Sequence, residues 1–169
     1  MSKKRRLIFR ISIALNILLI VLVAWGLLKM GFVREQVLLT EVQNNLVELE
    51  GLIAKQSEDN WSQPNRVTTE LGDVLNGLWL GLTTGEQLGT LSKSDKEILT
   101  KLYSKLNQYP TDELYSFVVI SQEEKENFEE LRKTLRNAGF GLNIQVSANM
   151  KYFMDQAEKL EKSLKVPLH

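Results

Sequence analysis

The chain has no cysteine, one histidine and three prolines among its 169 residues. Without cysteine there is no disulfide scaffold and no thiol-based redox or zinc centre. The lone histidine, His169, leaves neither a histidine cluster for a metal nor a Ser-His-Asp triad. No Walker loop, G-x-S-x-G elbow, dinucleotide fingerprint or acidic calcium loop occurs along the chain. The sequence therefore points to no catalytic, cofactor or metal site. Ten glycines and few prolines argue against a low-complexity chain.

One further absence is local. No acidic residue precedes Glu35, whereas Lys3, Lys4, Arg5, Arg6, Arg10, Lys29 and Arg34 are all basic. The first 34 residues carry +7, and the rest hold 14 basic against 21 acidic residues, or −7. Such a split implies two environments. The acidic balance of the larger part speaks against a nucleic-acid partner.

Ile11–Leu28 is an uncharged apolar run of 18 residues, and apolar character extends through Val33. A helix of ~20 residues crosses the ~30 Å hydrocarbon layer, and only a helix pairs its own backbone there. Arg10 and Lys29 fall near the ends, where long side chains reach the headgroups. Trp25 falls near the far end, where the interface favours tryptophan. The run exceeds a cleavable signal's usual apolar core, and no small-x-small cleavage site follows it. An uncleaved signal-anchor is expected at 11–33, preceded by a basic cytoplasmic tail at 1–10. The positive flank places the N-terminus inside and the remainder outside a plasma membrane, in a bacterial plan. So short a head holds no cytoplasmic signalling domain, so any signal is expected to pass through partner association. Ser12 and Asn16 lie one turn apart in the span. Asn16 either bonds its own helix, the favoured reading, or promotes self-association across a helix pair.

Beyond the span, Leu39, Val42, Leu46, Leu49 and Ile53 recur at spacings of 3 and 4, predicting a juxtamembrane amphipathic helix over 34–57. Glu41, Glu48 and Glu50 fall off that stripe. The polar run Gln56–Asn65 predicts a loop. A helix is expected to restart near Arg66 and end near Thr83, with 84–92 as a loop. Gly77 and Gly81 share a ridge that another helix can approach closely. Trp79, flanked by leucines, is expected in the core.

Ser94-Asp95-Lys96-Glu97 and Ser121-Gln122-Glu123-Glu124 read as capping boxes opening two helices. Pro110 stops the first, and Thr111 is expected to start another turn. Gly139 suits the position after the second. Glu129 and Lys133 form an i,i+4 pair on a solvated face. Residues 58–169 complete one external domain. The expected fold is mainly α: one transmembrane helix and an extracytoplasmic helical bundle. The alternative is α+β, with strands at about 115–120 and 142–146. Val146, Met150, Phe153, Ala157, Leu160 and Leu164 also fit a helix starting between Asn143 and Ala148.

The expected function is non-enzymatic: an accessory, sensory or scaffold protein of the envelope. Its expected partners are the bilayer, a protein in or at the membrane, and a second copy. Trp61, in the polar loop, is the candidate partner contact, or else packs on the membrane-proximal helices. A carboxylate enzyme acting on glycans and an immunity protein stay open as alternatives. Asn60-Trp61-Ser62 is also a glycosylation sequon.

Overall fold

A computed structural model describes residues 3–111 and 119–165. The described chain is helical, and no strand occurs among the described residues. Helix α1, Lys3–Val37, is followed without a break by a π-helical segment, Leu38–Asn44, and by α2, Asn45–Glu58. These three pieces form one uninterrupted rod. Its N-terminal part is long and apolar enough to cross a membrane. From Leu7 to Leu28 its large apolar side chains stand exposed, as lipid-facing groups would.

Above that part the rod acquires a buried face. Leu39, Val42, Leu46, Leu49 and Ile53, the residues of the 3-and-4 stripe, are all buried. Leu38 and Gln43 join them. A π turn holds an extra residue, so adjacent pairs such as Leu38–Leu39 and Val42–Gln43 turn inward together. The stripe alone does not predict this widening.

Helix α3, Asn65–Gln87, runs back antiparallel to α2 and along the π segment and the end of α1. It buries Leu71, Val74, Leu75 and Leu78. It also extends past Thr83, where the glycine spacing had predicted its end. Packing compensates for the poor helix propensity of glycine: a Cβ on Gly77 would lie 2.6 Å from the Glu41 carbonyl oxygen, and one on Gly81 would lie 2.4 Å from Leu38 Cδ2. The glycine ridge is thus a helix–helix contact. Trp79, expected in the core, is 59% exposed. Successive helical residues turn by 100°, so with Leu78 facing inward Trp79 and Leu80 rotate away. Apolar neighbours suggested burial, but helical phase decides it.

Helix α4, Lys93–Leu106, packs on α3 and on α6. Its cap is Ser92, whose hydroxyl accepts the Asp95 N–H at 3.0 Å, so Ser94 lies inside the helix rather than before it. The helix ends three residues before Tyr109, which is buried in the core. Helix α5, Gln122–Ala138, opens with the predicted Ser121–Glu124 capping box and closes on Gly139 at φ 103°. That positive φ suits glycine. The expected turn after Thr111 and most of the first proposed strand, 115–118, fall outside the described residues.

The second proposed strand is not formed. Residues 142–143 turn, and 145–149 run irregularly beside the π segment and the start of α2, with no strand beside them among the described residues. Alternation of apolar and polar residues arises here because one side of the segment rests on a helix. Helix α6, Met150–Ser163, starts later than expected, at the Asn149 cap, whose side chain accepts from Lys151 N and Tyr152 N. It packs on α4 and α5. Phe128, Phe140 and Phe153 are fully buried among leucines from every helix above the apolar rod. Each such leucine or phenylalanine contributes roughly 1.5–3 kcal/mol of burial.

Candidate functional site

Between α2 and the segment after α5 lies an apolar groove of about 630 Å³. Val47, Gly51 and Leu52 of α2 form one side, and Leu142, Ile144 and Val146 form the other. Asn44 and Glu48 stand at its rim. Leu142 is 63% exposed, a large apolar side chain held open to solvent. The two walls are sequence-distant, so something must pin the irregular segment to the helix.

That pin is Glu50, a buried acid that lies off the apolar stripe of the helix. Its side chain is only 2% exposed. Oε1 accepts from Arg132 Nε at 3.0 Å and from Arg136 Nη1 at 3.1 Å, and Oε2 accepts from Leu142 N–H at 3.2 Å. Burial pushes the carboxyl up, and the bonds from Arg132, Arg136 and Leu142 outweigh it, so it sits below its ordinary 4.5. A second pin is Gln43, whose Nε2 donates to the Ser147 carbonyl at 3.0 Å. Arg132 and Arg136 do not stand free on the surface of α5. They instead close a three-element ion cluster. No local signal marks Glu50; the signal is the unspent pair of arginines one turn apart on α5.

Glu70 of α3 carries a different stress. Its Oε1 is buried without a hydrogen-bond partner. Burial, then the charges of Glu48 and Asp73, push it up to about 7. The folded form holds this proton more tightly than the unfolded form, whose value is 4.5. The group therefore contributes stability below pH 4.5 that is lost as pH rises towards 7. Glu70→Gln is expected to remove that decline and to exceed the parent at pH 8, by of order 1 kcal/mol, since water screens the partly exposed carboxyl. Urea unfolding at pH 5 and pH 8 checks it; equal pH dependence in both chains would refute the assignment.

Trp61 lies at the other end of the bundle, away from α1. It is partly buried, with its ring 5.9 Å from that of Phe128. Asn60 and Trp61 both take positive φ, 53° and 57°. The left-handed region is unusual for a bulky residue. The Trp61 N–H donates to the Gln56 carbonyl at 2.7 Å. Trp61 also borders a polar recess of about 450 Å³ with Ser57, Lys125, Glu126 and Glu129. There Ser57 Oγ donates to Glu129 at 2.9 Å. Lys133 pairs with Glu130 at 3.3 Å, not with Glu129 as the i,i+4 spacing predicted. Glu124 is spent in the α5 cap. Among the described residues no three His, Cys, Asp or Glu side chains gather as a metal site.

In the apolar rod, Lys3, Lys4, Arg5, Arg6 and Arg10 occupy the first turns of α1. The Lys29 ammonium lies 5.9 Å from the centre of the Trp25 ring, a cation–π pair at the far end of the apolar run. Asn16 Nδ2 donates to the Ser12 carbonyl at 2.9 Å, within its own helix. No family model matches this chain, and no curated protein or solved structure matches it either.

Proposed function

We propose that the chain is a single-pass, non-enzymatic membrane protein whose outer helical domain acts through protein contacts, in an accessory, sensory or scaffold role. The basic head of α1 sits in the cytoplasm, and the bundle stands outside a bacterial plasma membrane. The positive flank of the apolar run supports this orientation. The observation that carries the binding role is the groove: an open apolar trough with an exposed Leu142, walled by a segment that a buried carboxylate pins to α2. A preformed concave apolar surface favours a ligand's apolar side chains at low ordering cost.

Crosslinking in intact cells, capture through a C-terminal tag and mass spectrometry test this reading. Leu142→Asp is expected to abolish capture of the partner while leaving the unfolding midpoint nearly unchanged, because Leu142 is mostly exposed. External protease is expected to remove the tag. A protected tag would overturn the orientation, and partner capture unaffected by Leu142→Asp would remove the groove from the binding role.

A further inference from the structure

Trp79 and Leu80 stand exposed on α3 although each is large and apolar. Their height above the apolar rod suggests what covers them. Gly81 lies against Leu38, and Gly77 against Glu41. These two contacts fix the antiparallel register of α3 on the rod. A helix rises ~1.5 Å per residue. Seven residues beyond Gly81, the C-cap residue Leu88 lies ~10 Å lower, level with the rod near Gly31. That is where the apolar run ends: Met30, Phe32 and Val33 are all exposed there.

The end of α3 and the turn into α4 therefore descend to the edge of the hydrocarbon layer. The headgroup zone is ~5–8 Å deep on each side, from a bilayer of ~40–45 Å with a ~30 Å core. Trp79 and Leu80, level with the rod between Leu38 and Glu41, lie ~8–12 Å beyond Val33, just outside that zone. The chemistry of the turn fits this position. Gln87-Leu88-Gly89-Thr90-Leu91-Ser92 has no charge. The acid just before it, Glu86, is neutralised by Lys96 at 2.6 Å.

We infer that the outer domain is seated on its own bilayer, with the 87–92 turn in the headgroup layer and Trp79 and Leu80 just above it. This inference rests on α1 spanning the membrane. Seating fixes the height and tilt of the bundle, so the groove faces sideways along the membrane rather than swinging freely. A partner in the same membrane meets it at a set height.

The absence of cysteine permits a direct test with single-cysteine variants of the full chain. Leu19→Cys, Gln87→Cys and Ser62→Cys each carry one fluorescent label, in phosphatidylcholine–phosphatidylglycerol vesicles. Nitroxide quenchers sit either on the lipid headgroup or deep in the acyl chain. The acyl quencher is expected to extinguish the label at 19. The headgroup quencher is expected to extinguish most of the signal at 87 and none at 62. An unquenched label at 19 would overturn the spanning reading, and the seating with it. A label at 19 that is quenched beside a label at 87 that behaves like the one at 62 would overturn the seating alone. Disulfide-linked pairs through residue 87 in place of quenching would assign this face to a second copy and likewise overturn it.

Discussion

Replacing Arg132 and Arg136 together by alanine is expected to lower the unfolding free energy of the outer domain by about 3–5 kcal/mol. The reason is the asymmetry of the cluster. Glu50 is 2% exposed, whereas the arginine side chains are 38% and 39% exposed. Removing both arginines strips a carboxylate, buried in the parent fold, of its two charged partners. Its one remaining partner is the Leu142 N–H. Removing the carboxylate instead, as in Glu50→Leu, leaves two guanidinium groups that turn outward, and costs about 1–2 kcal/mol by comparison. The double arginine variant should therefore be the weaker of the two, although it deletes the more exposed groups.

The pH response should also reverse. In the parent chain Glu50 lies below 4.5, so its contribution is present above that value and is lost as pH falls through the folded value. With both arginines gone, burial dominates and the carboxyl rises. Its folded form then prefers the proton, and stability falls as pH rises. Urea unfolding of the full chain in mild detergent, followed by circular dichroism from pH 4 to pH 8, reads both effects. A double variant no less stable than Glu50→Leu would show that Glu50 is not the group on which the cluster depends.

What was legible in the sequence follows from how local each signal is. The Ser121–Glu124 box and Gly139 specify α5 by contacts within a few residues, and both ends form as read. The stripe from Leu39 to Ile53 is a property of one helix face, and it is buried as read. The apolar run also announces a helix long enough to span a bilayer. Non-local terms were less visible. Glu50 looks like any other acid on α2 until Arg132 and Arg136 are brought to it across the bundle. The alternation at Leu142–Val146 resembles a strand because a segment lying on a helix also shows one face inward. The α4 cap lies at Ser92 rather than Ser94, and both serines stand three residues before an acid, so local spacing alone does not separate them. Trp79 was misplaced by composition when phase would have placed it correctly. In the candidate site, Val47 and Leu52 belong to a helix that was foreseen, while the wall and the pin that shapes it were not.

The π-helical segment is the other feature hidden from sequence, and Gly77 is the residue that exposes its mechanical role. Gly77→Ala is expected to destabilise the bundle by about 1–3 kcal/mol, even though alanine improves helix propensity by about 1 kcal/mol at such a position. The added Cβ would meet the Glu41 carbonyl oxygen at 2.6 Å and its carbonyl carbon at 2.9 Å. Both atoms are backbone of the π segment, so relief requires α3 to lift from the rod or the π turn to rewind. Gly81→Ala meets the Leu38 side chain, whose tip can move, although Leu38 is fully buried and has little room. Its expected cost is about 1 kcal/mol. Gly51→Ala has the closest contact of the three, 2.2 Å from Leu142 Cδ1. Yet Leu142 is 63% exposed and can swing away. That variant should be neutral or more stable, by up to about 1 kcal/mol from propensity alone. The expected order thus runs against the order of raw distances and follows instead what the added methyl meets: backbone, buried side chain, then free side chain. Thermal unfolding of the three variants in one detergent decides it. Gly51→Ala emerging as the most damaging of the three would mean that the 139–149 segment is clamped as rigidly as the π segment. A harmless Gly77→Ala would mean that α3 and the rod do not approach as closely as the glycine ridge requires.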